Sequence, residues 1–349
     1  MKKQILAGAV CSMVASMGYA NATLYGIVDA GVGSLTTKGQ DFKEHQYRGT
    51  SGKAAGSRFG LKADEELSGA VNAGAVIEFG YDVNEESGGL TNRQSIVYIE
   101  QAEMGRLSLG YQNTPMHDLL NATSPSGGMN VAGSIYGENV ISHKVSEKFS
   151  INAYEDRLAG VHYSINPENT PVHVHAFYSQ AHPSEHNTPE KYYGYALMLK
   201  NAGGFTGGYA YQVSPVDGAT TVDGNIKQSY HHRVINHVFT AEYALGNVNP
   251  SITYTTNKDE DGRKYPRWQV GLRYAPAVKH TVFTSYMHGH VKNNVDPEGT
   301  THTKGMQVGY TYDLSKRTSM YAVGGMQEAK NGDGKTKIKE YNIGLKHMF

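Results

Sequence analysis

The chain has 349 residues, with 32 basic and 32 acidic side chains, a formal charge of zero and one cysteine. The charge balance excludes the basic excess of a nucleic-acid binder. A mean hydropathy of −0.49, with no apolar run of the roughly 18 residues needed to span a bilayer after Ala22, excludes a helical membrane bundle.

The first segment, MKKQILAGAVCSMVASMGYANA, has a basic start at Lys2 and Lys3, a short apolar run and small residues at Ala20-Asn21-Ala22. These are the parts of a secretory signal peptide over residues 1–22. Cleavage after Ala22 leaves a single domain, residues 23–349, and removal of the two lysines takes its charge to −2. Cys11 leaves with the leader, so no disulfide or thiolate metal site is expected. A lipid-anchor reading of Cys11 is disfavoured by the large Val10 before it.

From Thr23 onward, apolar residues sit thinly at every second position, the pattern of strands with one face in lipid and one in water. Sixteen such segments can be read. They begin TLYGIVDAGVGSL, SRFGLKADEEL, AVNAGAVIEFGYDV, NRQSIVYIEQA and GRLSLGYQ. A long insertion from Asn113 to about Lys148 follows. Five more are DRLAGVHYSI, PVHVHAFYSQA, KYYGYALMLK, FTGGYAYQVS and HRVINHVFTAEYAL. The last six are NPSITYTTN, PRWQVGLRYA, KHTVFTSYMHGHV, GMQVGYTYDLS, SMYAVGGMQEAK and KEYNIGLKHMF.

In the third segment Val71, Ala73, Ala75, Ile77 and Phe79 oppose Asn72, Gly74, Glu78 and Asp82, so the two acids are expected to face the pore. In the twelfth, Trp268, Val270, Leu272 and Tyr274 oppose Gln269, Gly271 and Arg273. Short connections such as KNAGGF alternate with long ones such as TTKGQDFKEHQYRGTSGK and SPVDGATTVDGNIKQS, which read as loops. The chain ends inside a strand, with Tyr341, Ile343, Leu345, His347 and Phe349 on one face and Glu340, Asn342, Gly344, Lys346 and Met348 on the other. A soluble β-sandwich also has short alternating strands. The even strand count, the asymmetry of the connections and the terminal strand favour an all-β, 16-stranded antiparallel transmembrane barrel, whose last strand closes on its first.

The stretches TLYGIVDAGV, GSRFGLKADEEL, NRQSIVYIEQAEMGRLSLG, YTYDLSKRTSMYAVGGMQE and GLKHMF resemble the general diffusion porins of Gram-negative outer membranes, in particular the neisserial-type branch. The resemblance implies a homotrimer in outer-membrane lipid, with passive, weakly selective passage of ions and small hydrophilic solutes. It implies no cofactor, no catalytic residue and no nucleic-acid partner. It also implies a third loop, here within 113–148, folded into the barrel to narrow a water-filled pore. In such porins a basic ladder on the wall faces acids on that loop, and a terminal aromatic residue, here Phe349, is read by the assembly machinery.

On that pattern Arg58, Lys62, Arg93 and Arg157 are the candidate basic wall. Alternation alone turns Arg58 and Lys62 inward, because Phe59 and Leu61 face outward. Alternation leaves Arg93 and Arg157 ambiguous between the lumen and a solvated strand end, and a bulge would resolve it. Tyr111, a further pore-facing candidate, follows Gly110 where the family often has arginine, and Pro125-Ser126-Gly127-Gly128 replaces an acid-bearing turn. Asp118 and Glu138 are the only acids between Thr114 and Val140. A weak anion preference is therefore expected.

Other constellations carry less. The pairs His173/His175, His231/His232 and His288/His290 have strand spacing on a shared face or adjacency but no third ligand in reach, and solvated rim histidines are expected. KDEDGRK (258–264) lacks calcium-loop spacing, and GGMNVAG lacks the lysine of a phosphate loop. Alternatives are a solute-specific channel, which would show an aromatic slide, an adhesin with one greatly enlarged loop, and an outer-membrane enzyme. No GxSxG nucleophile motif supports the enzyme.

Overall fold

Alternation along each segment leaves every second side chain apolar, and in lipid the backbone N–H and C=O groups must pair internally. The chain satisfies both demands with one closed antiparallel sheet. The computed structural model describes residues 21–39, 42–85, 89–129, 131–133, 156–167, 169–181, 190–222, 225–259, 262, 264–291, 300–331 and 334–349. The first strands are β1 (Asn21–Lys38), β2 (Lys43–Ser51), β3 (Arg58–Ser68), β4 (Val71–Gly80), β5 (Thr91–Gln101) and β6 (Gly105–Asn113). A helix α1 (Pro115–Ala122) precedes β7 (Arg157–Ile165), β8 (Val172–Ala181), β9 (Glu190–Ala202), β10 (Phe205–Val222) and β11 (Asn225–Tyr243). The remainder are β12 (Val248–Asp259), β13 (Arg267–Ala277), β14 (His280–Val291), β15 (Thr301–Asp313), β16 (Thr318–Asn331) and β17 (Gly334–Met348).

Seventeen segments fill sixteen positions around the barrel, because β2 and β3 share one edge of β1. Ala30–Lys38 pairs with β2, and Asn21–Ile27 pairs with β3. The other edge of β1 pairs with β17, from Ile27 opposite Met348 to Lys38 opposite Lys337, and closes the sheet. At the seam Phe349 N–H donates to Gly26 O and Gly26 N–H donates to Phe349 O, both at 3.1 Å, and the Phe349 ring lies over Gly26.

Each of the sixteen segments read from alternation coincides with a strand over most of its length. Two expected loops do not stay loops. TTKGQDFKEHQYRGTSGK contains the end of β1 and all of β2, and SPVDGATTVDGNIKQS is mostly the extension of β10 and β11 toward their shared tip. At that height both faces of a strand meet water, so the period-2 signal vanishes while the hairpin hydrogen bonds continue.

Outward side chains are apolar or aromatic, among them Leu24, Val32, Ile77, Val97, Trp268, Leu272, Val308 and Ile343. Inward side chains are mostly polar, with Gln112, Asn236, Gln269, Gln307, Gln327, Glu340 and Asn342 buried. Turns are tight at one end, where Gly69, Ala70, Gly203, Gly204 and Lys279 take positive φ.

The long third connection turns into the lumen. Thr114 caps α1 by accepting from His117 N–H, and Pro115 occupies the first turn, where its missing N–H costs nothing. Met116, Leu119 and Leu120 pack on Ala196 and Met198 of β9, Ala210 of β10 and Val238 of β11. The chain then runs along the inner wall. Thr123 bonds Thr240 at 2.6 Å, Arg273 donates to Ser124 O at 3.4 Å, and Met129 and Val131 pack on Phe283, Tyr321 and Val323. Ala132 N–H donates to Glu340 at 3.0 Å. Residues 134–155 lie outside the described residues.

Two inward glycines permit this route. A Cβ on Gly325 would meet the Ala132 carbonyl, and one on Gly271 would meet the Pro125 ring. We expect Gly325→Val to leave the barrel folded but to detach the loop, since overpacking of about 1–3 kcal/mol falls on the loop's own contacts. Single-channel recording should then show a noisier pore of altered conductance; an unchanged trace would contradict the contact.

The break between β2 and β3 also points inward and meets the loop's far end. Asp29 accepts from Ala54 N–H at 2.6 Å, Ala55 N–H at 2.8 Å and the Tyr321 hydroxyl at 2.7 Å. Lys53 pairs with Glu340 at 2.7 Å, the carboxylate that also holds Ala132.

Candidate pore constriction

With the third loop against β9–β11, β13, β14, β16 and β17, the wall facing it across the lumen is β1 and β3–β7. On that wall the pleat turns Glu78 of β4 inward, and three side chains from neighbouring strands converge on it. Arg93 Nε stands 2.7 Å from its carboxylate, Arg58 Nε 3.5 Å, and the Tyr25 hydroxyl donates at 3.1 Å. Arg58 also donates to Gly56 O at 3.1 Å, within the break between β2 and β3.

Arg93 reaches this group through a register shift. Gln94 faces Glu78 and Asn92 faces Phe79, so Arg93 is the extra residue of a β-bulge between β4 and β5. Arg157, the first residue of β7, pairs in register with Asn113 and lies within electrostatic range of Arg93, Glu78, Asp156 and Tyr111. Tyr111 itself sits in register with Ser95 and Ala159. Arg58 and Arg93 thus contact one buried carboxylate, and Arg157 lies within electrostatic range of it and of Asp156, leaving a local excess of one positive charge.

The remaining candidates lie apart from that cluster. Lys62 shares the inner face with Arg58, four residues toward the tight-turn end, and pairs with Asp64 at 3.0 Å. Asp64 also accepts from Tyr98, over whose ring Arg106 lies at 3.6 Å. Asp118 on α1 accepts from Asn113 at 3.2 Å and lies within electrostatic range of His175. Among the described residues no hydrogen bond or ion pair joins Asp118 to Arg58, Arg93 or Arg157. Glu138 lies outside the described residues. Asp82 falls past the end of β4, because the strand stops at Gly80, and its carboxylate holds an exposed turn by accepting from Asn84 N–H at 2.8 Å.

Of the histidines expected in solvated rims, His175 is bonded to His162 at 3.1 Å on adjacent strands beneath α1. Among the described residues no group of three His, Cys, Asp or Glu side chains converges as a metal site.

Several residues that shape the pore carry no local motif. Asp29, Lys53, Tyr321 and Glu340 act through contacts distant in sequence. One signal was present: an acid on the inner face of an otherwise apolar first strand, TLYGIVDAGV.

A closed barrel with an apolar outer belt, a polar lumen and an internal segment narrowing it defines a transmembrane channel of the outer-membrane type. The chain belongs to the Gram-negative porin family, whose model matches residues 6–332. It is 28% identical to the major outer membrane protein P.IB of Neisseria sicca and 26% identical to an outer membrane porin protein of Bordetella pertussis, in each case over the whole of both chains. Among solved structures it resembles the anion-selective porin from Comamonas acidovorans, with a TM-score of 0.71 at 18% identity, covering 95% of this chain and 100% of that one. OmpT of Vibrio cholerae in its trimer form has a TM-score of 0.68 at 16% identity, covering 95% and 100%. The protein is an outer-membrane general diffusion porin of a Gram-negative bacterium, passing small hydrophilic solutes and ions through a water-filled pore.

Proposed function

We propose that Arg58 and Arg93, paired with Glu78, and Arg157 beside them form the charged wall of the pore's eyelet and give the channel a weak anion preference. The observation that carries this reading is the gathering of three arginines around Glu78 and Asp156, a local positive excess, opposite a loop with few acids. Low-dielectric walls focus such a field into the water between them, so anions are concentrated and cations depleted at the narrowest point. The Comamonas porin of similar fold is anion-selective, which is compatible with the reading. Lys62 extends the positive side toward the tight-turn end, muted by Asp64. Passage is passive and involves no catalytic step.

Glu78→Gln is expected to strengthen anion preference, because it removes the carboxylate that Arg58 and Arg93 share. It should also destabilise the barrel, since Arg58 and Arg93 lose a partly desolvated partner. A reversal potential that moves toward cations would contradict this assignment.

In this reading the working unit is a homotrimer, which the trimer form of the similarly folded OmpT supports. Residues 1–22 are removed on export, so terminal sequencing should find Thr23 first. Planar-bilayer recording should show ohmic steps that insert in triplets; absence of conductance from folded protein would exclude a channel.

A further inference from the structure

On the edge of β1 that passes from β2 to β3, Val28 and Asp29 face no partner strand, and there the chain turns into the lumen over residues 52–57. Asp29 fixes the base of this excursion. Its carbonyl accepts from Gly52 N–H and from the Ser57 hydroxyl, both at 3.1 Å, and its N–H donates to Ser57 Oγ at 3.0 Å. One oxygen of its fully buried carboxylate takes the Ala54 and Ala55 N–H groups, and the other takes the Tyr321 hydroxyl. Gly52 permits the turn with a φ of 68°, in the left-handed region that residues with a Cβ rarely adopt. The polar groups of the excursion are thus tied to the wall at both ends and in the middle, which holds it in one place.

The excursion touches both the arginines and the third loop. At one end the Gly56 carbonyl accepts from Arg58 at 3.1 Å, and a Cβ on Gly56 would stand 3.2 Å from Arg93 Nη1. At the other, Ala54 shares an apolar cluster with Met129 and Val131 of the loop. Between them Lys53 Nζ lies 2.7 Å from one oxygen of Glu340, whose other oxygen accepts the Ala132 N–H at 3.0 Å. The Glu340 side chain is 2% exposed and that of Lys53 14%, so the carboxylate is sealed while the ammonium borders the lumen. A carboxylate so buried depends on its counter-charge. A bulge that only filled a gap in the wall would need neither a cation aimed at β17 nor a contact with the loop.

We propose that residues 52–57 are a second constriction element, a jaw that bounds the eyelet between the arginine wall and the third loop. Lys53 is its positioning residue, holding the loop's far end through Glu340. The jaw's place at the narrowest point rests on the arginine wall proposed above, whereas its hold on the loop does not. Because Lys53 and Glu340 cancel, the latch fixes the loop's edge without altering the net charge of the eyelet. Loss of Lys53 therefore has two separable consequences: the loop is released, and the charge of Glu340 is left uncompensated beside the lumen.

The test is single-channel recording in planar bilayers. Lys53→Met should replace quiet openings by flicker between levels, with dwell in the main level shortened about tenfold or more, because a buried carboxylate has lost its partner. Its zero-current potential should also move toward cations. Lys53→Arg should behave as the original protein. Lys53→Met/Glu340→Gln should recover both readouts, because the amide oxygen still accepts from Ala132 and no charge is left unpaired. A lysine that merely stabilised the fold would not be rescued by altering its partner. Failure of Lys53→Met to assemble, with assembly restored in the double variant, would likewise support the pair. The jaw is read separately through Ala55→Cys, since the chain's only cysteine, Cys11, lies in the leader segment. Reaction of that thiol with an anionic methanethiosulfonate should cause a stepwise loss of conductance. A steady single-level trace from folded Lys53→Met, or a double variant as noisy as the single, would overturn the latch. Unchanged conductance after complete modification of Ala55→Cys, verified by intact mass, would overturn the jaw. Loss of current at Ala55→Cys, together with a potential indifferent to charge reversal at Arg58 and Arg93, would keep the jaw and remove the arginine reading.

Discussion

Joint replacement of Arg58 and Arg93 by glutamate is expected to turn the pore from weakly anion-preferring to cation-preferring. The two substitutions change the charge around Glu78 by four units. A unit charge some 8 Å from a passing ion contributes about 0.5 kcal/mol in water, and about 0.2 kcal/mol after one Debye length of screening at physiological salt. Four units move cation and anion in opposite directions, so their ratio shifts by about 1.5 kcal/mol, or about tenfold. The effect should shrink as salt is raised, because screening shortens the reach of every wall charge. The protein must still migrate as a folded, heat-modifiable barrel, which separates selectivity from misfolding. A folded variant whose permeability ratio is that of the original protein would remove these arginines from the eyelet.

Deletion of Phe349 is expected to reduce the yield of assembled protein by about tenfold or more, while the channels that do assemble keep their normal conductance. The residue contributes both seam hydrogen bonds with Gly26 and the ring over it, and that ring lies on the outer face of β1, whereas the neighbouring Tyr25 turns inward to Glu78. Each backbone group left unpaired at the lipid face costs several kcal/mol, so the loss falls on closure of the barrel. Phe349→Leu separates the two roles of this position. It keeps the backbone bonds, so near-normal yield would assign the effect to closure, and a collapse of yield would assign it to recognition of the aromatic ring by the assembly machinery. Normal yield after deletion would sink both.

The barrel itself was readable because lipid on one face and water on the other impose a strict period. Trp268, Val270, Leu272 and Tyr274 are all exposed outward in β13, as their spacing requires. The last strand keeps Glu340 and Asn342 inside and Tyr341, Ile343 and Leu345 outside. Where that asymmetry ends, the signal ends with it. The segment KEHQYRGTS has water on both sides, and only its pairing with β1 identifies it as a strand. Arg58 followed from parity, whereas Arg93 needed a one-residue register shift that no local pattern announces. Alternation alone extends β4 to Asp82, but the strand stops at Gly80, where the Asn84 turn takes over.

The path of the third loop was the least legible feature, for a physical reason. Its course depends on inner-wall vacancies at Gly271 and Gly325 and on Glu340, more than two hundred residues from the Ala132 amide it holds. Such long-range complementarity leaves no periodic trace in the loop itself. The inward clamp of Asp29, Ala54 and Tyr321 is of the same kind. It joins the start and the end of the chain to the segment that narrows the pore.

The most direct measurement is the zero-current potential of the unmodified porin in a KCl gradient across a planar bilayer. A sign corresponding to chloride favoured over potassium, declining as total salt rises, is the result that the arginine cluster on Glu78 predicts. A clear potassium preference at low salt would contradict it.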